Sequence, residues 1–398
     1  MDRRSVLRGA VAAAAASTLS LTFVATPGEA ADATGVAVAY QINARHDGNS
    51  AVGVAAPPLT EKWHRDLGRA VSYPVIADHK AFVTVRTGDD YGTALYAIDT
   101  RTGKDVWGPV ELGGTYYWSA LTLGAGRVYA INADGQLTAF AIRTGRQLWQ
   151  TDLPGQYSFS SAPTFRAGMV YTGGAGSGGT VYAVNAATGS VVWTASVANG
   201  DNSSPAVTAT GVYVSYACEQ SYRFDPATGA TRWVHSTSCS GGGGKTPVVA
   251  AGGLWVRESF DGSLPVLSLT TGQVKARFGS RGMPAPAFAG RTGFFVVDGE
   301  LHAADAATPD KPIWTFTGDG SQLRSAPIVV NGFVYVGSES GTVYAVDPAT
   351  GQAVWSADTG SEIWGPDEQN VSTPLTGLAA GQGVLLVPAA GRLVAYGG

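Results

Sequence analysis

Charge is scarce in this chain. Asp, Glu, Lys and Arg make up 14% of its 398 residues, and the formal net charge is −4. No Lys/Arg run stands out, so neither nucleic acid nor an anionic membrane is expected as the main partner. Histidine is equally sparse. His46, His64, His79, His235 and His302 are scattered, and none stands at metal-ligand spacing from a Cys or another His. There are two cysteines, Cys218 and Cys239, too far apart for a vicinal pair and with no Cys-x-x-Cys-His haem site. Beyond the N-terminus no apolar run is long enough to span a membrane. Helix-favouring composition is missing too: 54 glycines suit short strands and tight turns, because glycine is costly inside a helix.

The N-terminus reads as a targeting signal. "MDRRSVLRG" is a basic opening with adjacent Arg3 and Arg4, an apolar stretch follows from about Ala10 to Ala25, and "TPGEAADA" offers cleavage after Ala30. Arg-Arg-x-x-Leu before an alanine-rich core resembles a twin-arginine export signal, the alternative being a general secretory signal with two arginines. Residues 1–30 are thus expected to be an export signal, leaving a soluble protein outside the cytoplasm. No Cys lies near the cleavage site, so no lipid anchor is expected. In an exported chain two cysteines suggest a Cys218–Cys239 disulfide, closing a loop of 22 residues.

"CSGGGGKTP", residues 239–247, imitates a phosphate-binding loop. The pattern G-x-x-x-x-G-K-[ST] fails by one position, because Cys239 stands where the first Gly belongs. A phosphate loop must also open a helix, whose aligned N–H groups hold the anion. Here Pro247, Val248 and Val249 open a strand instead. "GAGSGG", residues 174–179, resembles a dinucleotide loop in composition only and sits between two strands.

What is present is a repeat. A Pro, or its stand-in, opens a short apolar strand at "SYPVI" (72), "SALTL" (119), "SAPTF" (161), "SSPAV" (203), "KTPVV" (245), "PAPAF" (284), "SAPIV" (325) and "STPLT" (372). The eight occurrences lie 39 to 47 residues apart. Pro is tolerated at a strand's first position, where no ladder donor is needed. A second alternating run follows each, such as "MVYTG" (169) or "FVYVG" (333), and then a tight turn. The third strand ends in a turn as in "VYAVNAATG" (181), where Asp99, Asn185, Asp225, Asp305 and Asp347 can accept N–H groups of the following residues. The fourth strand carries Trp107, Trp149, Trp193, Trp233, Trp314 or Trp355, each large enough to fill a wedge between sheets.

Such units predict an all-β fold, an eight-bladed β-propeller of four-stranded antiparallel blades. The last unit stops after three strands. Its fourth is expected at the other end of the domain, in "LTEKWHRDLG" (59–68) with Trp63. The propeller is placed at residues 57–398, closed by one N-terminal and three C-terminal strands, after a tail over 31–56 packed on the outside.

"AIDTRTGKDVW" (97–107) and "AVDPATGQAVW" (345–355) carry the full A-x-D-x-x-T-G-x-x-x-W signature. "AVNAATGSVVW" (183–193) swaps Asp for Asn, "LSLTTGQVKARF" (267–278) lacks both Asp and Trp, and "AADAATPDKPIW" (303–314) has Pro309 for Gly. The signature resembles the pyrroloquinoline-quinone (PQQ) enzyme repeat family over essentially the whole mature chain. The family spans two poles. Quinoprotein dehydrogenases hold PQQ and calcium on the propeller axis, and are much longer. The outer-membrane assembly propeller is a lipid-anchored scaffold of similar size. The chain looks like a secreted, scaffold-type cousin of the latter, which implies no cofactor and no metal.

The loops joining strand four to the next strand one, and strand two to strand three, emerge on one face. That face collects Tyr116, Tyr117, Trp118, Tyr157, Phe159, Glu219, Lys245, Asp261, Arg281, Arg324, Glu362, Trp364, Asp367 and Glu368. Its longest loop is "DTGSEIWGPDEQNVS" (358–372). Aromatics with carboxylates and arginines suit a protein partner, a sugar or another small polar ligand. A solvated rim is the plainer explanation. Glu362 with Asp367 could serve as acid and base, but surface carboxylates are common. The leading reading is a monomeric, non-catalytic binding scaffold. The alternative is an enzyme using the axial funnel, a quinone-dependent dehydrogenase or a lyase or hydrolase acting on a polysaccharide or secondary metabolite.

Overall fold

A computed structural model of the chain describes residues 37–398 except positions 51, 52, 54, 55, 89, 201, 238, 240, 241, 260, 261 and 280–283. The expected export signal lies outside the described residues. Contacts divide the chain into Met1–Ala33 and Thr34–Gly398, and the described residues belong to the second unit.

The second unit is a propeller of eight antiparallel sheets, and no helix occurs among the described residues. Blade 1 is built from Val75–Ala77, Lys80–Arg86, Thr93–Asp99 and Asp105–Gly113, each strand pairing with the next in sequence. Blades 2 to 7 repeat this order. Blade 8 takes Ala379–Gly381, Val384–Ala389 and Arg392–Gly397 from the C-terminus and Thr60–Asp66 from the N-terminus, with Trp63 opposite Ala395. In blades 1 and 3 to 7 the opening proline directly precedes the first strand. In blade 8 Pro374 stands ahead of Ala379, because the chain between them is bound elsewhere: Leu375 O accepts the Tyr73 N–H of blade 1.

The signature residues act between blades as well as within them. Asp99 Oδ1 accepts the N–H groups of Arg101 (2.9 Å) and Thr102 (3.0 Å), as its class of turn requires. Each fourth-strand indole N–H donates to a carbonyl of the next blade, in its third-strand turn for every Trp but Trp355, whose acceptor precedes the N-terminal strand of blade 8. Trp63 reaches Thr100 O at 2.8 Å, Trp193 reaches Pro226 O at 3.0 Å, and Trp355 reaches Leu59 O at 2.9 Å. The turn glycine is where this contact becomes possible. Gly229 has φ +71°, and a Cβ there would lie 2.6 Å from the Trp193 ring. Gly103, Gly145, Gly189, Gly272 and Gly351 meet the preceding blade's Trp in the same way. The degenerate blades obey the rule: blade 5 has Ala276 at the Trp position, opposite Val266, and the following turn has Pro309 in place of Gly. Apolar core therefore lies between blades, as where Trp63 packs with Val83 and Ile98.

The tail expected on the outside is inside the ring. The first strand of each blade is the inner edge of its sheet, so its inward N–H groups have no ladder partner. Residues 37–50 and Gly53 supply one. Ile76, Leu123, Val207, Val249, Phe288 and Val329 donate to the carbonyls of Ala37, Val38, Ala44, Arg45, Asp47 and Gly48 in turn. Gly383 donates to Gly53 in blade 8, and in blade 3 Thr164 Oγ1 lies 3.3 Å from His46 Nε2. One short segment thus touches all eight blades, and Asn49–Ser50 adds a parallel strand to blade 7.

Candidate functional site

The upper face is braced by a bridge. Cys218 and Cys239 form a disulfide with Cα atoms 5.7 Å apart. It ties the glycine-rich stretch to blade 4, where Gly243 O accepts the Ala217 N–H (3.1 Å) and the Asn199 amide (2.8 Å). Lys245 emerges from this stretch and pairs with Glu258 at 3.5 Å.

A long loop then crosses the face from blade 7. Gly365 packs on Arg324 O, Gln369 Nε2 reaches Gly244 O at 3.4 Å, and Val371 O accepts the Tyr117 N–H at 3.1 Å. The loop carries Glu368 into the interior. Its Oε2 accepts the Thr246 N–H at 2.6 Å, and its Oε1 accepts from Arg257 Nη1 at 2.6 Å and from the Tyr40 hydroxyl at 3.4 Å. All four groups are buried. Burial by itself raises the Glu368 pKa, but the Arg257 charge and the Thr246 N–H outweigh it and hold the carboxyl below its usual range. Beneath it His46 is fully buried, with Nδ1 2.7 Å from Tyr40 O and Nε2 3.0 Å from Pro205 O. Burial depresses its pKa, and the two carbonyls offset this only in part.

The candidate residues divide into three sets. Trp118 and Phe159 are 1% and 0% exposed and belong to the core between blades, so they are not rim groups. Glu219 is also buried. It is held bidentately by Arg277 of blade 5 (2.9 and 3.1 Å) and lies 3.4 Å from His235, which makes it a brace between blades. Arg324 pairs with Glu339 at 2.8 Å. Glu362, Trp364 and Asp367 are exposed on the crossing loop. Arg281 and Asp261 lie outside the described residues.

The third set is aromatic, with Tyr116 and Tyr157 exposed and Tyr117 half-buried. Tyr116 and Tyr117 gather with Tyr91, which is 63% exposed, at ring separations of 6.2 and 5.1 Å. The Arg86 guanidinium lies 3.6 Å over the Tyr117 ring. Tyr157 is 69% exposed and rests on Gly176, where a Cβ would come within 2.4 Å of its ring. Tyr91 and Arg86 were not legible in the sequence. They lie on the second strand of blade 1 and the turn after it, and only the fold brings them to Tyr116. Neither were Tyr40 and Arg257. A charged residue ending the apolar run "GLWVR" was the available signal.

The geometry defines an eight-bladed propeller with a filled axis and an aromatic upper rim. The family model described as outer membrane protein assembly factor BamB matches residues 48–177, 133–285 and 262–397 in overlapping stretches, and the chain belongs to that family. No curated protein matches it by sequence. Among solved structures it is similar to BamB from Moraxella catarrhalis (17% identity, 85% of this chain and 100% of that one, TM-score 0.63). It is also similar to quinohemoprotein alcohol dehydrogenase from Comamonas testosteroni (15% identity, 93% and 82%, TM-score 0.70). A third is the computationally designed Ika8 protein (17% identity, 87% and 98%, TM-score 0.61). At these identities the likeness concerns the fold.

The dehydrogenase likeness raises the question of a quinone and its metal on the axis. The residues present do not fit that pair. Tyr40, His46, Arg257 and Glu368 occupy the inside of the ring and bond to one another or to backbone. Glu368 has its oxygens committed to Arg257 and Thr246. Among the described residues no three His, Cys, Asp or Glu side chains are grouped to hold a metal ion. Nor, among them, is any helix long and apolar enough to cross a membrane.

Proposed function

We propose that this protein is an exported, non-catalytic binding propeller that works without PQQ or a metal and presents its upper rim to a protein partner or a small polar or sugar ligand. One observation carries the reading. The ring's interior is taken by the chain's own buried groups, while large tyrosines stand exposed on the rim around Arg86. Tyr and Arg are enriched where recognition surfaces carry their binding energy; Tyr offers wide contact area and a polar tip at little loss of side-chain entropy, and Arg a fork of donors. Membership of a family described by an assembly factor agrees with a scaffold role. The disulfide and the double-arginine N-terminus agree with export.

The test is native mass spectrometry of the protein purified from its source, beside a Tyr91→Ser/Tyr116→Ser variant. The expected result is a protein or sugar adduct on the wild type that the variant has lost. A bound quinone, or saturable quenching of Trp fluorescence by PQQ and calcium with dye-linked alcohol oxidation, overturns the reading.

A further inference from the structure

The segment inside the ring behaves like a ligand. Its contacts to the blades are mostly main-chain, one each to an inner-edge N–H group of blades 1, 2 and 4 to 7 that would otherwise face an open channel. This is strand addition to a sheet edge, wrapped round a circle: backbone bonds give affinity and side-chain pockets give selectivity. Two side chains of the segment have built pockets. The Tyr40 ring lies 5.3 Å from the Tyr73 ring, and its hydroxyl meets Glu368. The His46 ring is clasped by Pro205 O and Thr164 Oγ1 on the ring side. The segment also holds strain that only its surroundings can impose. Gln41, Ile42 and His46 have φ of +54°, +74° and +58°, values that side chains such as Ile strongly disfavour. The buried Gln41 Nε2 has no partner among the described residues. A free chain would not adopt this conformation, so the ring dictates it.

We propose that the axis of this propeller is a peptide-binding site, selective for a segment with Tyr and His six residues apart, and that residues 37–50 are its occupant carried on the same chain. The inference does not rest on the rim: the axis could hold a peptide whatever the tyrosines bind.

The experiment uses the full chain with a protease site inserted after Ala56, which is exposed. The folded protein is cut, and native mass spectrometry follows exchange of the severed segment against an isotopically labelled peptide of residues 37–50. The expected result is a folded ring that retains the cut segment and exchanges it for the labelled peptide. A scrambled peptide should not exchange, and a Tyr40→Ala/His46→Ala peptide should bind at least tenfold more weakly. Three outcomes overturn the proposal. The ring loses its fold on cutting; the cut ring keeps its segment without exchange over days, as a permanent core element would; or the scrambled peptide exchanges as well as the native one. Circular dichroism and the melting transition of the cut protein separate the first from the other two.

Discussion

At the scale of the residue, the Gly–Trp pair carries the repeat. A turn glycine at positive φ is ordinarily explained by the backbone alone. Here it has a second reason, since the preceding blade's indole sits where a Cβ would be. The two effects can be separated. Gly168 (φ +82°) has nothing within 4 Å of a built Cβ, whereas Gly229 (φ +71°) has the Trp193 ring at 2.6 Å. Gly168→Ala should lose about 1–3 kcal/mol, the cost of a left-handed non-glycine residue. Gly229→Ala should lose clearly more, because Trp193 must move out of its wedge and give up its bond to Pro226 O. Urea denaturation with comparable slopes reads the difference. Equal midpoints for the two variants would show that the indole contact contributes nothing.

At the scale of the element, the glycine-rich stretch of residues 239–245 depends on its bridge. Glycines in succession lose much entropy on ordering, and the bridge pre-empts part of that loss. In the chain-entropy view a loop of this size is stabilised by about 3 kcal/mol. Replacing Cys218 and Cys239 with Ser should lower the melting temperature by several degrees. Amide exchange should rise at Gly243, Gly244 and Thr246, which receive or flank the Gln369 and Glu368 contacts. Blade pairing should survive, because ring closure lies at residues 60–66, away from the bridge. An unchanged melting temperature together with unchanged exchange would remove the bracing role. The count of two cysteines in a chain read as exported made this pairing legible in the sequence. What the brace supports was not legible, because Glu368 and Thr246 lie 122 residues apart.

At the scale of the whole molecule, the ring's interior should make the protein acid-sensitive in two windows. A His with its folded pKa below the unfolded value of about 6.5 takes up its proton in the unfolded chain first. His46 is such a group, so stability should begin to fall as pH drops below about 6.5. Glu368 has its folded pKa below the usual carboxylate value, so its contribution is present above that value and is lost as pH falls through the folded one. Chemical denaturation from pH 8 to pH 3, with a His46→Gln variant beside the wild type, should show both declines in the wild type and only the lower one in the variant. A wild-type midpoint that stays level down to pH 5 would contradict the burial assigned to His46.

Blade count, strand order and the Asp and Gly turns follow from the chain alone because each is written locally and repeated, and the Trp63 closure follows because the last repeat lacks the one strand that the N-terminus supplies. Repetition is what made them readable: a proline before a strand means little once and much at a period near 42. The interior of the ring is written once, in residues that look unremarkable singly. Tyr40, His46, Arg257 and Glu368 have no shared period, and the segment of residues 37–50 resembles a tail because none of its partners is near it in sequence. Likewise Trp118 and Phe159 look like their rim neighbours Tyr116 and Tyr157, and only packing sends the first pair inward. Closing eight sheets into a circle creates an inner edge with unpaired N–H groups, and satisfying that edge is a demand of the closed ring that no single blade carries.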